Sequence, residues 1–200
     1  DKSYNIDKKD IKHHSYKVEF LNYNNEVEIV GDNKSEEYYN FFLGNDKDKW
    51  ASDANAYYKI AYKNLYDGIN LNIYSRLFNL KYDFIISPNA NISDIKLKYS
   101  GQDNIEIKNG RLHIYSQVNH IIEDKPFAYQ IINDTQVEVE CEYQLKENVL
   151  SYKFPNDYNH NYELVIDPVL IFSTYSGSFS NNFGYSATFD SKGFLYSGSS

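Results

Sequence analysis

Two hundred residues are enough for one or two domains with a buried core, and a net charge of −8 argues against a nucleic-acid partner. Aromatic residues make up 17 % of the chain, with 21 Tyr and 12 Phe, a composition suited to half-buried sheet surfaces. The single cysteine, Cys141, excludes an internal disulfide and a cysteine-based zinc site, and no apolar run approaches the roughly 18 residues of a membrane span.

The first thirteen residues are polar and aperiodic, and a frayed end or lead-in strand is expected there. Tyr16, Val18 and Phe20 then alternate with Lys17 and Glu19, which predicts a strand. A turn is expected over Asn22–Asn25, followed by a hairpin strand through Val27 and Ile29 that ends at Gly31–Asn33. Glu36–Phe42 is aromatic and extended, Gly44–Lys49 is a polar loop, and Trp50 reads as a core anchor at the loop edge. Ala56, Tyr58, Ile60 and Tyr62 alternate up to the turn Tyr66-Asp67-Gly68.

From there to Gly101 the pattern is a β-meander. Ile69, Leu71 and Ile73 form one strand, and Leu80, Tyr82 and Phe84 the next after a turn near residues 75–78. Pro88 halts that strand because its nitrogen cannot donate to a ladder, and Ile95, Leu97 and Tyr99 make a third. Asn109-Gly110 predicts a type I′ hairpin turn between Ile105–Ile107 and Leu112–Ile114. Val118–Ile122 and Pro126–Ile132 follow, separated by a charged turn over Glu123–Lys125.

The cleanest alternation of all sets Val137, Val139, Cys141, Tyr143 and Leu145 against Glu138, Glu140, Glu142, Gln144 and Lys146. One strand with five buried side chains is expected, contributing roughly 8–15 kcal/mol. Glu147-Asn148 then turns into Leu150, Tyr152 and Phe154, and Leu164–Ile166 is the last short strand before Pro168. No segment carries a helical period, so the fold class is all-β: a multi-stranded antiparallel sandwich or set of twisted sheets. Beyond Pro168 the chain becomes rich in Ser, Gly and aromatic residues, with strands expected over Phe183–Phe189 and Phe194–Ser197. The expected organisation is a sandwich-like domain over 1–167 and the start of a propeller-type repeat over 168–200. The chain has no Met, even at position 1, and is taken as a fragment of a longer protein.

Several of these runs match a known pattern in order. They are Tyr62–Leu71 (YKNLYDGINL), Leu80–Ala90 (LKYDFIISPNA), Ile95–Gly101 (IKLKYSG), Lys125–Gln130 (KPFAYQ) and Val165–Gly177 (VIDPVLIFSTYSG). Together they resemble the β-rich domain that precedes SBBP-type β-propeller repeats, and Phe183–Gly198 looks like the first repeat. The Gly-Gln-Trp element usual at the start of that family is missing here. The resemblance implies a long, secreted, multidomain bacterial surface protein, adhesin-like or filament-like. It is of the kind exported by type IX secretion in gliding bacteria. It brings no catalytic residues.

The residues themselves offer few sites. His113 and His120 lie on neighbouring strands, but no third ligand accompanies them, so a surface pair is expected. Asp46 and Asp48 have a D-x-D spacing, yet Lys47 and Lys49 stand where a calcium loop needs oxygens. The loops Asn156–Asn161 and Gly177–Asn182 each offer several oxygens and leave room for a calcium ion, although no cofactor is expected. Cys141 reads as an inert buried thiol. Gly184–Thr188 fails as a nucleophile elbow at its second glycine, and the sequons at Asn33, Asn91 and Asn133 are expected by chance in an Asn-rich chain. Asp83, between Tyr82 and Phe84, is the carboxylate to inspect, with a cross-strand lysine its default partner.

No catalytic, cofactor-binding or metal residue is therefore expected, and the function read from the chain is a non-catalytic structural or interaction module. Its partners would be other domains of the same protein or surface proteins, with no nucleic acid and no membrane span. Two rivals stand beside it. A carbohydrate-binding module would use exposed rings among Tyr38, Tyr39, Phe41, Phe42, Tyr57 and Tyr58, which a second sheet is expected to cover. A hydrolase would need two inward carboxylates facing each other across a cleft.

Overall fold

A computed structural model describes residues 14–42, 44–76, 79–118, 120–168, 170–171, 187–189 and 195–197. The strands are β1 (Lys17–Phe20), β2 (Glu28–Phe41), β3 (Ala51–Tyr66), β4 (Ile69–Arg76), β5 (Asn79–Ile86), β6 (Leu97–Ser100), β7 (Asn104–Lys108), β8 (Arg111–Tyr115) and β9 (His120–Glu123). They continue with β10 (Phe127–Ile132), β11 (Thr135–Val139), β12 (Glu142–Lys146), β13 (Val149–Lys153), β14 (Leu164–Asp167), β15 (Leu170–Ile171), β16 (Ala187–Phe189) and β17 (Leu195–Ser197). The fold is all-β, as the period-two patterning requires, and the helical residues described are two 3-10 turns, Lys47–Lys49 and Ile92–Asp94. No described helix is long and apolar enough to cross a membrane.

Three antiparallel sheets carry the structure. The largest runs β11-β10-β14-β5-β4-β3-β2, and two four-stranded sheets run β1-β6-β13-β12 and β15-β9-β8-β7. One hydrophobic cluster joins them. The large sheet contributes Leu71, Phe84, Ile86 and Ile166, the second Leu97 and Leu150, the third Leu112 and Ile114. Ring contacts knit the first two layers: Phe84 meets Tyr152 edge-on at 5.9 Å, and Phe20 tilts against Tyr62 at 6.2 Å.

The turns follow their residue chemistry. Asn109 and Gly110 take φ of 53° and 78°, the mirror-image turn that their pairing predicts, and Lys108 faces Arg111 across it. Asn133-Asp134 and Glu147-Asn148 close their hairpins with the same positive-φ pair. The expected meander holds for two of its three strands: β4 and β5 pair in register, but β6 crosses to the second sheet between β1 and β13, and the other neighbour of β4 is β3, joined to it by Asp67-Gly68.

Several expectations are corrected. The alternating run from Val137 to Lys146 is two strands in different sheets, because the chain leaves the large sheet at Glu140 and joins the second at Glu142. Val137 is 41 % exposed, so five buried side chains overcounts that run's contribution. β1 pairs with β6 and β2 with β3, so no hairpin joins the first two strands. Nor does β2 end at Gly31–Asn33. Asn33 absorbs a positive φ of 56° and the strand runs on to Phe41. Glu123 belongs to β9 rather than to a turn.

In the tail, β16 and β17 pair antiparallel with Phe189 opposite Leu195. The expected turn 190–193, the loop Gly177–Asn182 and the elbow-like Gly184–Ser186 lie outside the described residues.

Candidate functional site

β2 and β3 pair along most of their length to form a ribbon whose distal part runs past the partners of the other strands. β3 reaches Ala51, but its pairing with β4 stops at Lys59. Beyond that point no described strand lies over the aromatic residues. Tyr38 is 61 % exposed and Tyr58 59 %, and Tyr39, Phe41, Phe42 and Tyr57 are also open to solvent. Among the described residues no second sheet covers these rings. Trp50 is 38 % exposed instead of anchoring the core. Its ring meets Phe42 edge-on at 5.4 Å, Lys47 Nζ sits 5.8 Å from its centroid, and its Nε1 donates to the Gly44 carbonyl at 3.2 Å. Phe42 and Trp50 thus brace each other at the tip.

The arm's outer edge is not an open template for another strand. β2 carries register shifts between Lys34 and Tyr38 and again between Tyr39 and Phe41. Bulges and the charges Asp32, Lys34, Glu36 and Glu37 are how natural edges resist strand addition. Side-chain faces are therefore what the arm offers. Gly31 admits the Tyr57 ring, whose carbons lie 2.6 Å from where a Cβ would stand.

A second feature lies inside. Glu123 is 1 % exposed and its Oε1 accepts from the Tyr82 hydroxyl at 2.7 Å and from the Tyr143 hydroxyl. Tyr82 lies 3.4 Å, hydroxyl to hydroxyl, from Tyr152. The three ring-bearing strands, β5, β12 and β13, belong to the large and second sheets, whereas Glu123 ends β9 of the third. Burial raises the Glu123 carboxyl above its ordinary range, against the pull of the two phenol donors. Burial and then the Glu123 charge push Tyr82, Tyr99, Tyr143 and Tyr152 well up, and lift Tyr16 to about 12. Tyr82 and Tyr143 are the proton donors that hold this carboxyl group at a three-sheet junction. Sequence reading missed Glu123; its alternation with Ile121 was the signal.

Asp83 sits on the opposite face of the large sheet from Phe84. It accepts from the Tyr74 hydroxyl at 3.1 Å, while Lys81 pairs with Asp167 at 3.1 Å rather than with Asp83. Burial first, then the adjacent Asp167 charge, lift Asp83 to about 6. These two carboxylates adjoin on neighbouring strands, without the gap that a glycosidase places between its acids.

The remaining candidates are structural or on the surface. Asp46 Oδ1 caps the 3-10 turn by accepting from the Asp48 amide at 3.3 Å, and Asp46 pairs with Lys49 at 3.3 Å. In the Asn156–Asn161 loop, Asn159 Oδ1 accepts from the Asn161 amide and Asn156 donates to Glu140 at 2.5 Å, while buried Gln130 bonds the Asn159 backbone twice. Those loop oxygens serve the loop. Cys141 is half-buried and raised to about 12 by burial, an unreactive thiol. Among the described residues no three His, Cys, Asp or Glu side chains converge as a metal shell. A shallow polar groove of about 410 Å³ runs past Asn22, Tyr23, Asp67, Asp94 and Lys96.

A family model described as a domain of unknown function, DUF7948, matches residues 1–169. Neither the curated proteins nor the solved structures give a match.

Proposed function

The chain belongs to the DUF7948 family, and we propose that it is a non-catalytic interaction module of a secreted bacterial surface protein, adhesin-like or filament-like. The observation that carries this reading is the aromatic arm. Seven large rings, Tyr38, Tyr39, Phe41, Phe42, Trp50, Tyr57 and Tyr58, stand open on one ribbon, whereas Tyr23 alone is exposed among the other described aromatic side chains. Exposed apolar surface on that scale marks a contact site rather than a packing accident. The partners are other domains of the same protein or neighbouring surface proteins.

The ordered motifs from Tyr62 to Gly177 support placing this domain ahead of propeller-type repeats in a gliding-associated, type IX-exported protein. A family match that ends at residue 169 is in keeping with a boundary near Pro168. Labelling intact and permeabilised source cells with antibodies against this chain tests the location. Signal on intact cells is expected, and signal only after permeabilisation overturns the export reading.

A second reading is carbohydrate binding. What favours it is that the uncovered rings of the arm are all aromatic and four of the seven are Tyr, the side chains that stack on sugar faces while offering a hydroxyl.

A further inference from the structure

We propose that His113 and His120 form a chelating site for an imidazole-seeking divalent transition ion, Cu2+ foremost, on the outer face of the third sheet. This inference is independent of the function proposed above. His113 Nδ1 and His120 Nε2 lie 2.9 Å apart, and the two rings are 5.0 Å between centroids. With metal–nitrogen bonds of about 2.0–2.1 Å, two neighbouring ligands at a right angle stand roughly 2.9 Å apart, and two ligands of a tetrahedral ion roughly 3.3–3.4 Å. The observed 2.9 Å is a hydrogen-bond distance that already lies close to this chelating span, so a small rotation of the rings brings both nitrogens onto one ion. Imidazole nitrogen is also a ligand these ions favour, copper binding tightest along the divalent series.

The scaffold brings both rings side by side before any ion arrives, leaving only their rotation to complete the site. His113 is central in β8 with Leu112 and Ile114 buried on the other side, and Tyr115 pairs directly with His120 across to β9. Tyr115 stacks flat on His120 at 4.2 Å with an interplanar angle of 11°. A hydrogen bond to the Lys108 backbone steadies His113, the kind of outer contact that orients a ligating imidazole. Glu106 lies opposite His113 in register and favours a cation, while Lys108 opposes one. Glu106 itself is held by the Tyr115 hydroxyl at 2.8 Å, so the protein supplies two nitrogens and water completes the shell. Binding replaces the proton shared between the imidazoles and requires both rings to turn until their lone pairs meet.

The test is a Cu2+ titration of the 200-residue chain carrying His13→Asn and His14→Asn, which removes the other imidazole pair of the sequence, followed by electron paramagnetic resonance. One bound equivalent with splitting from two nitrogens is expected. His113→Asn or His120→Asn alone should weaken binding by about tenfold or more, the double change little further, and His160→Asn not at all. Circular dichroism checks that each variant is folded. Stoichiometric binding that survives the double change, or no stoichiometric binding in the starting chain, overturns the proposal.

Discussion

Glu123 at the end of β9 accepts a hydrogen bond from Tyr143 in β12, joining the third sheet to the second through one buried carboxyl. Removing a single donor by Tyr143→Phe should cost about 1–3 kcal/mol, because a buried acceptor then loses a partner. The pH dependence has a definite sign. Burial raises the folded-state Glu123 above its unfolded value of 4.5, so its contribution to stability falls as pH rises from there through the folded value. Glu123→Gln has no such slope, and the stability difference between wild type and variant should shrink with rising pH. Urea unfolding between pH 4 and pH 8 measures it, and a constant difference contradicts the arrangement.

Asp83 gives a smaller effect of the same sign. Its folded value is raised to about 6 from 3.8, so wild type loses stability as pH rises across that interval. Asp83→Asn keeps the Tyr74 bond and should be flat there, ending more stable by under about 1 kcal/mol at neutral pH after solvent screening. Thermal melts at pH 4 and pH 7 would show the crossover, and an Asn variant that is less stable at both values would contradict it.

Tyr62 is buried, and its hydroxyl has no hydrogen-bond partner among the described residues. Its ring packs against Phe20, which needs no hydroxyl. Tyr62→Phe should therefore leave stability unchanged or raise it by up to about 1 kcal/mol. A loss beyond that range in chemical denaturation would reveal a partner for the oxygen.

The arm rings should be dispensable for folding. Tyr38→Ser and Tyr58→Ser remove side chains that stand in solvent, so each should change unfolding free energy by no more than about 0.5 kcal/mol. Tyr152→Ser, in the core, should cost several times that and serves as the contrast in the same urea series.

How much of this was legible in the sequence depends on how local the signal is. Alternation found nearly every strand, and Asn109-Gly110 fixed its hairpin, because both depend on neighbours along the chain. Sheet membership was not legible. The alternation from Val137 to Lys146 is unbroken as a pattern, and only the tertiary partners of β11 and β12 separate it into two sheets. Trp50 and the Tyr38–Phe42 run looked like core because large rings usually are, and nothing local says that they stand open to solvent. Glu123 was hidden by its charge, which suggested a turn; the phenols that make its burial tolerable arrive from 20 and 41 residues away. His113 and His120 were placed on adjacent strands correctly, but a nitrogen separation needs coordinates.

The most direct test of the arm as a contact surface is a mixed array of glycans and bacterial surface proteins, probed with folded wild type and with the Tyr38→Ser/Tyr39→Ser/Tyr58→Ser variant at equal concentration. We expect discrete binding by wild type that the variant loses while its unfolding curve stays in place. Equal binding by both proteins, or none by wild type, would contradict the arm's role.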